Sequence, residues 1–285
     1  MIEVLRTGPL ALVTDTGRPG YGAVGVSPSG AFDRGAFESG ADLLGNDPSR
    51  HAAVEITLGG FSFRALAPWR VAFTGAPCTL AVDGAQAAWH AVLDLASGTV
   101  VTLGTPDAGL RSYLSVADGL DVEPVLGSRS TDVLSGLGPP VLRPGDLLGV
   151  GIPGPALPRR VVASSRRGHG AADVLELLPG PQADWLAHPD ALATTWTVSP
   201  HSNRVGVRLD GRTLPRRDGE VPSQPLVRGA VQLPPSGQPV VFGPDHPTTG
   251  GYPVVAVLTD ESCDDLAQLR PGQTCTLRWA VDRSG

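Results

Sequence analysis

The sequence contains no lysine, so all 22 of its basic residues are arginine. A Walker-type phosphate loop, a Schiff-base enzyme and a biotin carrier each depend on a lysine side chain. None of the three can be built within this chain. If biotin chemistry is involved at all, another protein must carry the biotin.

Cysteines are few and long apolar runs are absent. The three cysteines, Cys78, Cys263 and Cys275, do not have the spacing of metal ligands or of a disulfide framework. The isolated histidines have no acidic or thiol neighbour at a ligand-like spacing, so we expect no metal site. No stretch approaches the roughly 20 apolar residues of a membrane span, and Met1–Val4 does not open a signal peptide. We therefore expect a cytoplasmic protein without a membrane partner.

The charge pattern argues against nucleic acid as a partner. The formal net charge is -6, and the arginines stand singly or in pairs instead of forming a basic stripe. A nucleic-acid backbone would be attracted only weakly by such a surface. A small molecule is the expected ligand.

The two halves of the chain repeat each other. Val101–Gly104 is followed nine residues after its glycine by Tyr113, and Val240–Gly243 is followed at the same distance by Tyr252. The motif Leu142–Asp146 returns as Leu269–Gln273. Self-similarity over a long period indicates duplicated structure, so we predict two similar β-barrels, at 1–152 and 153–285, joined by a segment rich in proline and glycine.

Local sequence patterns predict the secondary structure. Short β-favouring runs separated by glycine and proline turns predict a mainly β protein with a few short helices. Helical spacing of apolar residues predicts one helix at 33–45, with Asp33 as its N-cap, and short helical turns at 182–187 and 263–269. The other segments are predicted to be strands; they include 2–5, 10–14, 23–26, 54–58, 254–258 and 275–279.

The segment 245–253 concentrates polar residues between two predicted strands. Asp245 and His246 could transfer a proton, and Thr248, Thr249 and Tyr252 could orient a polar ligand. Gly250 and Gly251 allow backbone N–H groups to converge on an anion. The alternative is a tight loop in which these polar groups satisfy the backbone.

A second polar segment follows a predicted strand. Ser128, Arg129 and the hydroxyls of the next two residues are suited to binding a carboxylate or phosphate, and Arg111 upstream could join them. The alternative is a short helical turn in which Arg129 pairs locally. The glycines near Arg18 are not a dinucleotide-binding fingerprint, because they lead into another predicted strand.

Several motifs occur together in an order that resembles one known family. They are Gly17–Tyr21, Ser29–Asp33, Leu44–Asn46, Glu55–Thr57, Thr74–Ala76, Arg111–Tyr113, Leu126–Asp132, Gly229–Pro235 and the 245–253 segment. The chain resembles the KipA-like family, which is also called allophanate hydrolase subunit 2 or the C subunit of 5-oxoprolinase. The resemblance covers nearly the whole chain, and the motifs add Arg18, Tyr21, Ser29, Asp33 and Glu55 as further candidate site residues.

The resemblance implies a fold, partners and an activity. The fold is a pair of cyclophilin-like β-barrels related to the carboxyltransferase region of biotin-dependent urea carboxylase. The partners are a third subunit and a KipI-like sister subunit, also called the B subunit of 5-oxoprolinase or allophanate hydrolase subunit 1. Such complexes open 5-oxoproline to glutamate with ATP, which the subunits would share. Gln224 departs from the family, which often has glutamate after the serine at this point.

Three functions follow. In the first, the chain is a hydrolase subunit that is inactive alone, in which Asp245, His246 and Tyr252 take part in catalysis. Arg111 or Arg129, with Ser128 and the 248–251 segment, would bind a small lactam. In the second, it is a regulatory partner of a KipI-like kinase inhibitor. In the third, it is a carboxyltransferase-like protein that acts with a separate biotin carrier.

Overall fold

A computed structural model describes residues 1–151 and 173–280. These residues divide into two compact units. The described part of the first unit is 1–18, 29–132 and 136–151, and that of the second is 19–28, 133–135 and 173–280. The predicted boundary between residues 152 and 153, and most of the proline-rich segment around it, lie outside the described residues.

The first unit consists mainly of two sheets. One has the strand order β11-β12-β1-β4-β9-β6-β7 and the other the order β2-β3-β10-β5-β8. The two sheets share one buried hydrophobic cluster, to which Phe63 contributes from the first sheet and Phe73 from the second. The strands are β1 (Ile2–Thr7), β2 (Leu10–Thr14), β3 (Ala53–Thr57), β4 (Phe61–Ala65), β5 (Trp69–Gly75), β6 (Leu80–Val82), β7 (Ala85–Gln86), β8 (Val92–Leu95), β9 (Val100–Leu103), β10 (Arg111–Val116), β11 (Leu120–Asp121) and β12 (Leu147–Val150).

One α-helix, α1 (Arg34–Leu44), packs on the sheet of the first unit that contains β10. The predicted helix is confirmed, with Asp33 as N-cap and Gly45 as C-cap. The Asp33 carboxylate accepts a backbone hydrogen bond from the first turn at 2.8 Å, as an N-cap residue does. A Cβ on Gly40 would lie 2.5 Å from the hydroxyl of Ser115, so glycine allows the helix to approach the sheet closely.

The second unit contains a closed barrel with the strand order β13-β20-β17-β18-β15-β14-β21. Strands β13 and β21 run parallel, and the other neighbours are antiparallel. A separate two-stranded sheet pairs β16 with β19. The strands are β13 (Val174–Pro179), β14 (Thr195–Val198), β15 (Gly206–Asp210), β16 (Gln224–Pro225), β17 (Ala230–Gln232), β18 (Val240–Phe242), β19 (Thr249–Gly250), β20 (Val254–Leu258) and β21 (Thr274–Trp279).

The helices of the second unit are short. Helix α2 (Asp260–Gln268) begins three residues before the predicted turn, because the hydroxyl of Thr259 caps it by accepting a backbone hydrogen bond. Three 3₁₀ turns lie at Gly22–Val24, Ala183–Trp185 and Pro189–Ala191. The mainly β fold with few helices is therefore confirmed, and the described residues contain no helix long and apolar enough to cross a membrane.

The repeated motifs Leu142–Asp146 and Leu269–Gln273 form the same turn. In each, the arginine backbone N–H donates to the side-chain oxygen of the last residue, at 2.7 Å and 2.8 Å. The N–H of that last residue returns a bond to the arginine carbonyl, at 3.1 Å and 3.0 Å. The glycine of each turn has a positive φ, 94° and 85°, which favours glycine. Each turn leads directly into a strand, so the sequence repeat corresponds to repeated structure.

The predicted strand at 23–26 is wrong. These residues form part of a 3₁₀ turn that ends at Gly25, whose φ is 80°. The backbone N–H of Gly25 bonds to Gly22 and that of Val26 bonds to Tyr21, so both are used within the turn. Val24 is exposed. The β-branched residues here have no sheet surface to pack against, and local turn bonds therefore determine the structure.

Candidate functional site

Asp245 is held in a buried ion pair of the second unit. Arg204 Nε lies 2.9 Å from Oδ2 and Arg204 Nη2 lies 3.2 Å from Oδ1. The backbone N–H of Val133 also donates to Oδ2, at 3.2 Å. Both side chains are almost fully buried. Asp245 thus uses both of its oxygens within the protein, an arrangement that suits a residue that fixes the loop.

His246 is also buried, but its side chain makes different contacts from those of Asp245. Nδ1 lies 2.7 Å from the carbonyl oxygen of Pro247, and the ring centroid is 6.4 Å from that of Phe242. A carbonyl oxygen can only accept, so Nδ1 carries the proton in this contact. In a neutral ring, Nε2 is then the nitrogen without a proton.

The backbone at Gly250 and Gly251 lacks the left-handed conformation with which the glycine pair was expected to bind an anion. Neither Gly250 nor Gly251 is among the glycines with positive φ. Gly250 instead pairs with Gln224 in the β16–β19 sheet. A Cβ on Gly250 would lie 2.6 Å from Gln232 Nε2 and 3.0 Å from a methyl carbon of Leu226, whereas a Cβ on Gly251 would meet nothing within 4 Å. Close packing around position 250 therefore explains why a glycine is found there.

The remaining polar groups of this segment are accessible. Thr249 is exposed, Thr248 is partly buried, and Tyr252 is 46% exposed. The carbonyl of Tyr252 accepts a bond from Gln232 Nε2 at 3.1 Å, which fixes the backbone and leaves the phenol ring outside. These side chains can reach a ligand on the surface of the second unit.

Gln224 belongs to a reciprocal amide pair beside this segment. Its Nε2 donates to Gln182 Oε1 at 2.7 Å, and Gln182 Nε2 donates back to Gln224 Oε1 at 2.9 Å. Gln182 Oε1 also accepts the backbone N–H of Val254 at 2.9 Å. The residue that departs from the resembling family is therefore fully used as an amide in this chain.

Glu55 is at the centre of a buried polar cluster in the first unit. In the pairing of β3 with β10, Glu55 lies opposite Tyr113, and Arg111 is two residues along on the same face. The Tyr113 hydroxyl donates to Glu55 Oε2 at 2.9 Å, the Phe32 N–H donates to the same oxygen at 3.0 Å, and Arg111 Nε lies 3.5 Å from Oε1. Glu55 thus points inward, where its partners offset the cost of burying a charge.

Tyr113 links this cluster to the start of helix α1. Its hydroxyl accepts the backbone N–H of Asp33 at 2.8 Å while it donates to Glu55. Complete burial, followed by the charges of Glu55 and Asp33, raises the pKa of Tyr113 well above its usual value of 10. The guanidinium of Arg111 stacks over Phe32, 4.2 Å from the ring centre. Asp33 is the N-cap, the alternative role that the sequence offered.

Ser128 belongs to a second buried cluster of the first unit, around Asp15. The Ser128 and Ser130 hydroxyls donate to Asp15 Oδ1 at 2.7 Å and 2.6 Å. The backbone N–H groups of Arg129 and Gly17 also donate to this carboxylate, at 2.6 Å and 2.7 Å. The hydroxyls predicted to bind a ligand therefore hold the 128–130 segment to Asp15.

The other candidates are placed separately. Arg129 directs Nη1 to the carbonyl of Arg50 at 3.1 Å at an exposed position, and Ser29 donates to the carbonyl of Thr131 at 3.2 Å. Arg18 is buried in the first unit, and Tyr21 is 36% exposed in the second. Arg111 and Arg129 thus belong to different clusters of the first unit, and the 245–252 segment belongs to the second.

Sequence reasoning missed Asp15, Gln182 and Arg204. Asp15 was recognisable only as an acid before a glycine turn. Nothing near it in the sequence indicated that its carboxylate accepts four hydrogen bonds, one from Gly17 and three from the 128–130 segment more than 100 residues away. Arg204 carries no local signal of its pairing with Asp245. Among the residues that the structure describes, no group of three or more His, Cys, Asp or Glu could hold a metal ion.

Comparison with known proteins gives the relatives of this chain. Residues 24–279 match the family described as carboxyltransferase domain, subdomain A and B. The chain is 37% identical to the C subunit of 5-oxoprolinase from Escherichia coli (strain K12), over 96% of this chain and 89% of that protein. It is 30% identical to the C subunit of 5-oxoprolinase from Haemophilus influenzae, again over 96% and 89%.

A solved structure extends the comparison. The crystal structure of the K. lactis urea amidolyase superposes with a TM-score of 0.89 at 26% identity. The match covers 97% of this chain and 18% of that much longer one. The resemblance seen in the sequence motifs is confirmed. The chain belongs to the carboxyltransferase domain, subdomain A and B, family.

Proposed function

We propose that this chain is one subunit of a cytoplasmic 5-oxoprolinase-type complex that opens 5-oxoproline to glutamate with consumption of ATP. The observation that carries the proposal is the 37% identity to the C subunit of the Escherichia coli 5-oxoprolinase, which extends over 89% of that protein. The partners are a KipI-like sister subunit and a third subunit. The relatives are named as subunits, which supports partners of this kind.

Ring opening by water requires that a proton pass from the attacking water to the departing amide nitrogen, and His246 is the residue we assign to that transfer. Its Nδ1 donates to the carbonyl of Pro247, so Nε2 is the nitrogen that would take up the proton and deliver it. Asp245 is less suited, because Arg204 and a backbone N–H occupy both of its oxygens. Asp245 then acts by fixing the backbone next to His246, and Tyr252 and Thr249 orient the ligand.

Substrate binding by Arg111, Arg129 and Ser128 stays a prediction. Arg111 is held by Glu55 and Phe32, and the Ser128 hydroxyl is held by Asp15. Arg129 is the most exposed of the three side chains. It is the one that can meet a ligand without a prior rearrangement of buried hydrogen bonds.

Neither α-helix N-terminus among the described residues favours a triphosphate. The chain has no lysine for a Walker loop. The N-terminus of α1 is occupied by the Asp33 carboxylate, and the first turn of α2 carries Asp260 and Glu261. Acidic groups at both positions oppose the anion binding that a helix N-terminus otherwise offers. We therefore propose that, of the subunits that share ATP, the partners supply most of its binding site.

Co-expression with the sister and third subunits tests the proposal. The purified complex is assayed for ATP hydrolysis against a panel of lactams and ureas. We expect 5-oxoproline to stimulate ATP hydrolysis, and we expect each subunit alone to be inactive. A complex that assembles but hydrolyses no ATP with any lactam would contradict the proposal.

A carboxyltransferase-like function is the second candidate, because the chain superposes on the urea amidolyase structure with a TM-score of 0.89. It predicts activity that depends on a separate biotinylated protein, since this chain has no lysine to carry biotin. A regulatory partner of a KipI-like kinase inhibitor predicts a stable complex without lactam-stimulated ATP hydrolysis. The same assay, run with and without a biotin carrier, separates the three functions.

A further inference from the structure

Arg18 is a buried arginine that has no carboxylate partner among residues 1–151 and 173–280. Three arginines are buried among the described residues: Arg18, Arg111 and Arg204. Arg111 pairs with Glu55 and Arg204 with Asp245. Arg18 is 1% exposed and makes no ion pair within the described part of the chain. An arginine stays charged when buried, so a buried guanidinium normally has a counter-charge.

The guanidinium is anchored on one side only. Nε donates to the carbonyl of Val125 at 3.3 Å, and Nη2 donates to the carbonyl of Ser130 in a short contact. Nη1, which has two N–H groups, is buried and has no hydrogen-bond partner among the described residues. The nearest acid in sequence, Asp15, uses its carboxylate on the 128–130 segment and Gly17.

The anchor is rigid. Val125 and Ser128 exchange both backbone hydrogen bonds across a tight turn, at 2.8 Å and 3.2 Å, which fixes the carbonyl that receives Nε. Gly138 lies against the other anchor, because a Cβ there would be 2.1 Å from the Ser130 carbonyl oxygen and 3.2 Å from Arg18 Nη2. The position of Nη1 is therefore set before any ligand arrives.

A second buried polar group without a hydrogen-bond partner lies next to Ser130 in the sequence. The Thr131 hydroxyl is buried and makes no hydrogen bond within the described residues, and it lies one residue beyond the carbonyl that holds Nη2. The hydroxyl of Thr14, next to Asp15, is also buried and makes no hydrogen bond within the described residues. Unpartnered buried polar groups are rare and need an explanation. Two N–H donors on a guanidinium, with the hydroxyl of the residue that follows its anchoring carbonyl, are the groups that bind a carboxylate.

We propose that Nη1 of Arg18 and the hydroxyl of Thr131 bind the carboxylate of a small-molecule ligand in the first unit. The carboxylate supplies both the missing counter-charge and the missing acceptor. The identification of the ligand as a lactam acid such as 5-oxoproline rests on the proposed function. The inference that the ligand carries a carboxylate rests on Arg18 and Thr131 alone. The site is distinct from the Glu55 cluster, where the arginine is already paired.

Binding to the full chain, alone and in the complex, tests this site. Isothermal titration at constant ionic strength compares 5-oxoproline with 2-pyrrolidinone, which is the same ring without the carboxylate, and with inorganic phosphate. We expect 5-oxoproline to bind at least tenfold more tightly than either. Equal binding of 2-pyrrolidinone, or tighter binding of phosphate, would overturn the carboxylate assignment.

Variants locate the binding. Arg18→Lys keeps the charge but loses the planar pair of donors, and we expect it to weaken 5-oxoproline binding at least tenfold. Thr131→Val removes no hydrogen bond that the described part of the chain makes, so we expect it to retain the fold and to test the site even if Arg18→Lys unfolds. We expect several-fold weaker binding from Thr131→Val. Arg64→Lys, at a partly buried surface ion pair with Glu3, is the matched control and should bind normally.

The outcomes separate the site from the function. Selective 5-oxoproline binding that depends on Arg18 and Thr131, in a complex that does not open the ring, keeps the site and rejects the function. Ring opening with an unchanged KM in both variants keeps the function and rejects the site.

Discussion

Asp245 and Arg204 form a buried ion pair with two parallel hydrogen bonds, 2.9 Å and 3.2 Å long. Asp245→Asn would remove the negative charge that Asp245 places against the buried Arg204 guanidinium, which costs about 3–5 kcal/mol in comparable cases. We expect a loss of that size in the free energy of unfolding, measured by urea denaturation. Glu3→Gln breaks a partly buried surface pair with Arg64 and should cost less than about 1 kcal/mol.

The same variant tests the role of Asp245 in turnover. Assayed in the complex at a temperature where Asp245→Asn is folded, the variant should keep most of its activity, because the carboxylate positions the loop. A cost in stability no larger than that of Glu3→Gln would contradict the structural role. A large loss of turnover in the folded variant would return Asp245 to the catalytic residues.

Tyr113 makes the protein sensitive to alkaline pH. Its pKa in the folded protein is raised above 10, mainly by burial. A raised pKa means that the folded state holds the proton more tightly than the unfolded state does. Its contribution to stability is therefore complete below pH 10 and is lost as the pH rises above that value. We expect the free energy of unfolding to fall above pH 10, as measured by denaturant midpoints between pH 8 and 11.

Tyr113→Phe isolates this effect. It removes the hydroxyl that joins Glu55 and Asp33, so we expect about 1–3 kcal/mol lower stability at pH 8 and a flatter decline above pH 10. Burial also raises the pKa of Cys78 to about 11 and that of Cys275 to about 12. The thiols contribute equally to both proteins, so the difference between them reports Tyr113. Parallel pH profiles would show that Tyr113 does not titrate with unfolding.

Gln224→Glu restores the residue often found in the resembling family, and it should destabilise this chain. A carboxylate at 224 would face Gln182 Oε1, which already accepts Val254 N–H. We expect a loss of about 1–2 kcal/mol at pH 7, with recovery at acidic pH as the new carboxyl group is protonated and can donate. Gln86→Glu, at an exposed position, should be neutral. Equal effects of the two variants would argue against the amide pair.

Gly250→Ala and Gly251→Ala are a matched pair. The added methyl at 250 would be 2.6 Å from Gln232 Nε2, and at 251 it would meet nothing within 4 Å. We expect Gly250→Ala to cost about 1–3 kcal/mol and to reduce activity, and Gly251→Ala to do neither. Thermal unfolding and the ring-opening assay measure both. A harmful Gly251→Ala with a harmless Gly250→Ala would contradict the packing described here.

The fold was largely predictable because its signals are local. Asp33 and Gly45 mark the ends of α1, and runs such as Leu10–Thr14 and Val254–Leu258 carry strong β propensity, so their bounds are correct. The failure at 23–26 has a local cause as well: Gly25 closes a turn before any strand partner is met. The boundary at residue 152 lies outside the described residues and stays a prediction.

The polar clusters were harder to predict because their partners are distant in sequence. Glu55 meets Tyr113 only through the pairing of β3 with β10, and Asp15 meets Ser128 across 113 residues. The sequence showed that these residues were polar and grouped. It did not show that Ser128 would be engaged by Asp15, or that Gly250 would serve packing. The roles predicted for Arg111 and Arg129 in ligand binding and for His246 in catalysis stay predictions.

Glutamate formation is the most direct test of the central claim. The complex is purified with and without this chain, supplied with 5-oxoproline and ATP, and glutamate and ADP are measured in the same reaction. The account predicts that both products appear together, and only when this chain is present. An equal rate of glutamate formation without the chain, or no glutamate from the complete complex, would contradict it.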